Sequence, residues 1–382
     1  MEQAGNISSS FKSFYKDLMD NRDIVLFLGA GVNISKGVQL GWSDIIKPLI
    51  TKTLLYIGRE KGIDNSLRND LIKLFTGSPI DGYNIPTPDL LKLKDIVNSE
   101  FGPLLQMSIV KAVLGMDYIK ILQDYIYNQC NKDILKKAFE DCYALDNNGN
   151  RRSGSENEFY SLYVLARYII LYPHIKAIVT YNYDNFLTYA VNILQSDKEK
   201  YFNEKEVDLL NKRKRVNLID VWDNNFGCAF SSDSIMVYHV HGYIPSPREF
   251  QEFNEDSIVL SLEEFCNSIN SPNSWFSITP LYFLSHYTCV MAGISVSDIN
   301  TQRMFLSAKV NANYHKRYLL TAYNNSMDDS TQGIKKAVYD IKCGFYTHWG
   351  LSLLKGDNGY FKLYEQLNYK LTEYLKGKNY EN

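Results

Sequence analysis

Several short polar stretches in this 382-residue chain each follow directly on an apolar run, and they hold the residue types that could do chemistry. Thr180-Tyr181-Asn182-Tyr183-Asp184 follows one run. His241-Gly242 follows a second, and Gly293-Ile294-Ser295, with Asp298 just beyond, follows a third. Gly29-Ala30-Gly31-Val32 follows the earliest, Ile24–Leu28. Asn182 carries a hydrogen-bond donor and an acceptor on one side chain. His241 suits a general base, because an ordinary histidine titrates near neutrality. His239 competes for that role, and the glycine after His241 favours the later ring. Glycines at 29 and 31 let the backbone approach an anion closely, and N–H groups at the start of the following helix would point at it, which suits a nucleotide pyrophosphate.

The glycine pattern is neither of two common fingerprints. A dinucleotide-binding dehydrogenase loop wants a third glycine where Ile34 stands and an acidic residue ~20 positions on. A P-loop wants a lysine followed by serine or threonine, also missing here. Each stretch has a plain structural reading as well. Gly29 and Gly31 fit a simple turn in an α/β sheet, Asn182 and Asp184 fit caps of the next helix, and Asp298 fits a helix N-cap. No histidine and carboxylate cluster has metal-ligand spacing, so no metal is implied.

The elements that must position these residues follow from periodicity. Ser8–Ser10 precede Phe11, Phe14, Tyr15 and Leu18, a capped amphipathic helix. Ile24–Leu28 reads as a buried parallel strand. Ser43 can cap a helix through Ile45, Ile46, Leu49, Ile50 and Leu54, whose N-terminus would face the phosphate site. Residues 64–146 show helical periodicity alone, with one helical stretch over Leu104–Tyr127 and another over Ile134–Phe139. Asn147–Ser155 reads as an exposed loop closing this insertion. Glu156–Leu171 is predicted helical, with Phe159, Leu162, Tyr163, Ala166 and Ile169 along one side. Strands are then predicted at Ile175–Thr180, Ile235–Val240, Ile258–Ser261, Thr288–Ala292, Arg317–Ala322 and Lys342–His348. Asn185–Leu194 and Phe361–Leu375 are predicted helices, and Asp197–Asn217 is a charged interval, read as a solvated helix face. The expected fold is α/β, a doubly wound parallel sheet with the site along the C-terminal ends of its strands. Residues 1–63 and 156–382 would form the core, 64–155 a helical lobe covering the site, and little beyond residue 310 would be more than a short tail.

Composition sets the bounds. The chain is 45% hydrophobic, enough for a real core, and 41 basic residues against 43 acidic ones give a formal charge of -2. That balance offers no electrostatic footprint for direct nucleic-acid binding or an anionic membrane. Six scattered cysteines form no Cys-x-x-Cys pair, and no apolar run has the length of a membrane span, so a reducing cytoplasm is expected. Twenty-nine tyrosines suit interfaces and permit a homo-oligomer.

Taken together, Gly29-Ala30-Gly31, Thr180-x-Asn182-x-Asp184, His241-Gly242 and Gly293-x-Ser295 resemble the sirtuin family of NAD-dependent enzymes over roughly residues 20–310. Gly37–Trp42, the Thr-Tyr-Asn-Tyr-Asp form and Gly293-x-Ser295-x-x-Asp298 are similar, more narrowly, to the sirtuin-like NAD hydrolases of bacterial antiviral defence. That resemblance implies a Rossmann-like core and an NAD glycohydrolase that releases nicotinamide and ADP-ribose, with Asn182 and His241 catalytic. It implies that Gly29, Ala30, Gly31, Val32, Thr180, Asp184, Gly293, Ser295 and Asp298 bind NAD, Asp184 at the nicotinamide carboxamide. It also implies a partner such as a HerA-type ATPase or an Argonaute-like protein. The four-cysteine zinc ribbon of deacylating sirtuins and their Gly-Ile-Pro-Asp-Phe-Arg stretch are missing, which weighs against protein deacylation. Deacylation, ADP-ribosylation and a non-catalytic nucleotide sensor remain alternatives.

Overall fold

A computed structural model describes residues 9–34, 38, 40–60, 102–144, 158–222, 234–247, 258–270, 275–296, 299–309, 315–323, 332–356 and 359–379. The elements in order are α1 (Ser9–Met19), β1 (Ile24–Leu28), α2 (Trp42–Glu60), α3 (Pro103–Leu114), α4 (Asp117–Gln129), α5 (Lys132–Tyr143), α6 (Tyr160–Leu171), β2 (Ile175–Thr180) and α7 (Phe186–Ser196). There follow α8 (Lys198–Tyr201), α9 (Glu204–Asn211), β3 (Asn217–Val221), β4 (Ser234–His239), α10 (Leu262–Asn270), α11 (Trp275–His286), β5 (Thr288–Ala292) and α12 (Ile299–Lys309). The last are β6 (Arg317–Ala322), α13 (Gln332–His348), β7 (Ser352–Gly356) and α14 (Gly359–Asn379).

Among the described residues the strands form one seven-stranded sheet in the order β3-β4-β2-β1-β5-β6-β7, every neighbouring pair parallel. The fold is therefore α/β, as the pattern of apolar runs and intervening helices predicts. β1 shows why it lies in the middle. Its five residues are all buried, Ile24, Leu26 and Leu28 in the core on one face and Val25 and Phe27 in the core on the other, so both faces need a cover of helices. α1, α6, α7 and α14 supply residues to the first core, and α11, α12 and α13 supply residues to the second. The order reverses about β1, since β2 pairs on one side of it and β5 on the other. That places a topological switch point at its C-terminal end.

The described part of the insertion is helical. The stretch predicted as one helix over Leu104–Tyr127 is two, α3 and α4, broken where Gly115 adopts φ +54°. Leu122, Ile126 and Tyr127 of α4 and Leu135 and Phe139 of α5 share one apolar cluster with α6 and α7. The predicted loop at Asn147–Ser155 lies outside the described residues.

Several expectations change. α6 starts at Tyr160, with Phe159 before it at φ +52°, and instead of one apolar side it is buried on all sides from Ser161 to Leu171. Arg167 in its middle is tolerated because Glu206 and the amide oxygen of Asn368 take its guanidinium. Glu206 is thus a buried partner rather than part of a solvated face. Ile258–Ser261 is extended but joins no strand, its Val259 N–H donating to His241 O. Lys342–His348 is the end of α13, not a strand, and the edge strand is Ser352–Gly356. Ile334, Val338, Ile341 and Phe345 recur at helical spacing on the exposed side of α13. β3, which begins where the charged interval ends, went unpredicted. Finally, residues beyond 310 are no tail, since β6 and β7 extend the sheet itself.

Candidate functional site

At the switch point, β1 runs into a single turn of 3-10 helix, Ala30–Asn33, and α2 begins only at Trp42. The glycines here are required by each other. A Cβ on Gly29 would lie 2.6 Å from Gly293 O, and one on Gly31 would lie 2.7 Å from Gly293 Cα. Gly293 itself has φ +66°, and a Cβ there would meet Val32 N at 2.4 Å. The loops after β1 and β5 therefore pack backbone against backbone. Two N–H groups join them, Gly29 N donating to Ala292 O at 3.0 Å and Gly31 N to Gly293 O at 2.9 Å, while Val32 N closes the β1 turn on Gly29 O at 3.1 Å. The expectation that these N–H groups stand free for an anion is not met at those three positions. Ser161 Oγ, on α6, donates to Val32 O at 2.7 Å and fixes the turn from behind.

One strand over, between the ends of β2 and β4, polar side chains converge instead. Thr180 ends β2, and its Oγ1 accepts from Asn182 N at 3.1 Å. Asn182 is buried, donates Nδ2 to Gly29 O at 3.3 Å, and so ties β2 to the glycine turn. Asp184 accepts from Phe186 N at 3.1 Å, the N-terminal arrangement of α7, and from Asn33 Nδ2 at 2.7 Å. Burial pushes the Asp184 carboxyl up from its ordinary 3.8 to about 6, against the Phe186 N–H, His239 and Asn33, which pull it down. Leu28, Val32, Asn33, Thr180, Asn182, Asp184, Thr188, Asp220 and His239 are among the residues lining a cleft with about 280 Å3 of empty space, its open mouth included.

The two histidines are separated by the turn that ends β4. His239 is the last strand residue and is buried; Gly242 N–H returns to His239 O at 3.0 Å with Gly242 at φ +93°. His239 Nε2 faces Asp220 Oδ1 at 2.8 Å and Nδ1 faces Asn182 O at 3.1 Å. His241 stands past the turn, half-buried, its ring edge-on to Tyr181 with 5.0 Å between centroids. His239 is therefore not stacked behind His241, as two residues sharing a strand face would be; it lies under Asn182.

The structure thus brings Val32, Thr180, Asn182 and Asp184 together on the cleft and packs Gly29, Gly31 and Gly293 beside it. Ala30 belongs to the same turn, Ser295 is exposed beyond β5, and Asp298 lies outside the described residues. Four polar lining residues escaped the sequence: Asn33, Asn185, Thr188 and Asp220. Asn33 follows the glycine loop by two positions and Asp220 sits on the unpredicted β3, where the β-branched Ile219 and Val221 were the available signal. Among the described residues no group of three histidine, cysteine or acidic side chains has the geometry to hold a metal ion, and no described helix is long and apolar enough to cross a membrane.

The insertion reaches this region through α4. Gln123 Nε2 donates to Pro245 O at 2.7 Å, and Tyr127 Oη lies 2.7 Å from Ile244 O and 3.2 Å from Asn185 Oδ1. One helix of the insertion thereby braces both the exit of β4 and the residue after Asp184.

No curated protein matches this chain. Residues 176–342, the stretch from β2 through α13 that carries Asn182, Asp184, both histidines and Gly293, match the family model of the SIR2-like domain, the sirtuin-like group.

Proposed function

We propose that this cleft cleaves the bond between nicotinamide and ribose in NAD, with water as acceptor, to give nicotinamide, ADP-ribose and a proton. The observation that carries the reading is the convergence of Asn33, Asn182, Asp184 and His239 on one cleft at the C-terminal edge of the sheet, the last three of them within the segment similar to SIR2-like domains. The C1′–N bond breaks with its electron pair leaving on nicotinamide, and the ribose passes through an oxocarbenium-like state. Water then adds to C1′ and gives up its proton to a base.

In this reading Asn182 orients the ribose and the water. Its Nδ2 is anchored on Gly29 O, and its backbone carbonyl is held by His239 backed by Asp220, so the side chain meets the transition state without rearranging. His241 is the base, close by on the turn after β4. Asp184 takes the nicotinamide carboxamide, and Gly293 and Ser295 lie toward the adenosine half. The chain would act as a homo-oligomer that depletes NAD during phage infection, in the cytoplasm, under the control of a partner such as a HerA-type ATPase; these points are supported by the resemblance of its motifs to defence hydrolases.

The test is nicotinamide release from NAD by the purified chain, with an acetyl-lysine peptide as the competing acceptor substrate. His241→Ala is expected to lower turnover by ~10²- to 10⁴-fold, the usual contribution of a general base. Peptide deacetylation keeping pace with NAD consumption would refute the hydrolase reading, and full turnover in His241→Ala would remove that residue from the mechanism.

A further inference from the structure

Among the described residues on the cleft, Asn33 carries a side-chain atom sealed from solvent with nothing to bond: its Oδ1. The residue is 1% exposed. Its orientation is fixed by its other end, because Nδ2 donates to Asp184 Oδ2 at 2.7 Å and a flipped amide would set oxygen against carboxylate. Sealing an acceptor without a partner costs ~1–3 kcal/mol. Such a residue persists where a ligand supplies the missing donor. Leu28, Val32 and Leu162 wall the same cleft beside its polar groups, which suits a donor carried on a partly apolar group.

We propose that Asn33 Oδ1 accepts an N–H of the nicotinamide carboxamide and so makes Asn33 a specificity-determining residue, one that selects the amide over analogues with no N–H at that place. This rests on the reading of the cleft as NAD-cleaving. The argument is one of unpaired groups: a site that hydrogen-bonds a substrate N–H rejects the analogue lacking it, because the protein's own polar atom is then left buried and alone. Replacing the carboxamide NH2 by methyl, as in the 3-acetylpyridine analogue of NAD, keeps shape and charge and removes only the donor. Asn33 Oδ1 would return to its unpaired state.

The experiment measures kcat/KM for NAD and for 3-acetylpyridine adenine dinucleotide with the full chain and with Asn33→Ser and Asn33→Ala, alongside calorimetric binding of nicotinamide and 3-acetylpyridine to the wild type. Intrinsic leaving-group differences cancel when the NAD-to-analogue ratio of each variant is divided by that of the wild type. The wild-type ratio is expected to fall by ~10-fold or more in both variants, chiefly through a raised KM for NAD. An unchanged ratio in variants that still cleave NAD overturns the role of Asn33 and leaves the proposed reaction standing. If neither variant folds, equal binding of nicotinamide and 3-acetylpyridine to the wild type overturns it. Wild-type protein that neither cleaves NAD nor binds nicotinamide overturns the reaction and this role together.

Discussion

The ends of β2 and β5 flank the same strand, β1, and are built on opposite principles. On the β5 side the chain offers almost no side chain: Gly293 presses its backbone into Gly29 and Gly31, and the N–H groups there are consumed in holding two loops together. On the β2 side the buried Thr180 and Asn182 and the half-buried Asp184 present polar groups, with Asn33 closing in from the 3-10 turn and Asp220 and His239 from β3 and β4. The first arrangement is a rigid joint. The second is a polar pocket whose groups are held in place by that joint, since Asn182 hangs on Gly29 O. Glycine-rich loops at a switch point are usually credited to ligand approach; here their first duty is to let two loops touch, and chemistry is left to the side chains one strand away.

The largest effect is expected at the joint. Gly293→Val puts a branched side chain at φ +66° and its Cβ 2.4 Å from Val32 N, with backbone on every side and no flexible neighbour to yield. Strain and overpacking together should cost about 4 kcal/mol or more, enough to remove most of a typical domain's stability. Chemical denaturation reads this directly, and a stable, folded Gly293→Val protein would break the comparison.

Asn182→Ala should do the reverse. It leaves the joint's three backbone hydrogen bonds in place but removes the oriented side chain, so turnover should fall by ~10²-fold or more while the denaturation midpoint moves little. Single-turnover nicotinamide release alongside denaturation separates the two. A variant that loses stability as heavily as activity would show that Asn182 belongs to the joint.

The smallest effect sharpens the claim that the pocket costs stability. Asp184 has a folded pKa of about 6, above its ordinary 3.8, so the fold binds its proton more tightly than the unfolded chain does. Its stabilising contribution is fully present below about pH 4 and is lost as pH rises through about 6. Asp184→Asn abolishes that loss while its amide oxygen can still accept from Asn33 Nδ2. At pH 7 the variant should be more stable by roughly 1–3 kcal/mol, with no difference near pH 4, and much less active. Thermal unfolding between pH 4 and 8 checks the sign; a variant less stable at pH 7 than at pH 4 relative to wild type would reverse the reading.

What the sequence determined alone was whatever local pattern fixes. Five consecutive apolar residues at Ile24–Leu28 can only be buried on both faces, and the stripe of α1 can only pack, so β1, β2, β5, β6 and most helices were legible. Thr180, Asn182 and Asp184 were legible because a polar cluster directly after a buried strand has nowhere to go but the sheet's edge. Tertiary structure decided the rest. Which histidine meets Asn182 depends on where β4 ends and on the turn that Gly242 closes at φ +93°, a conformation that no residue spacing reveals. Asp220 joins the site only because β3 pairs outside β4, a non-local choice, and Asn33 only because the 3-10 turn swings its amide onto Asp184. α6 read as one-sided because periodicity reports where apolar residues lie, whereas burial on all sides depends on the sheet beneath it and the helices around it. A chain encodes its strands in runs of neighbours, but its site is made from residues that become neighbours only when those strands are stacked.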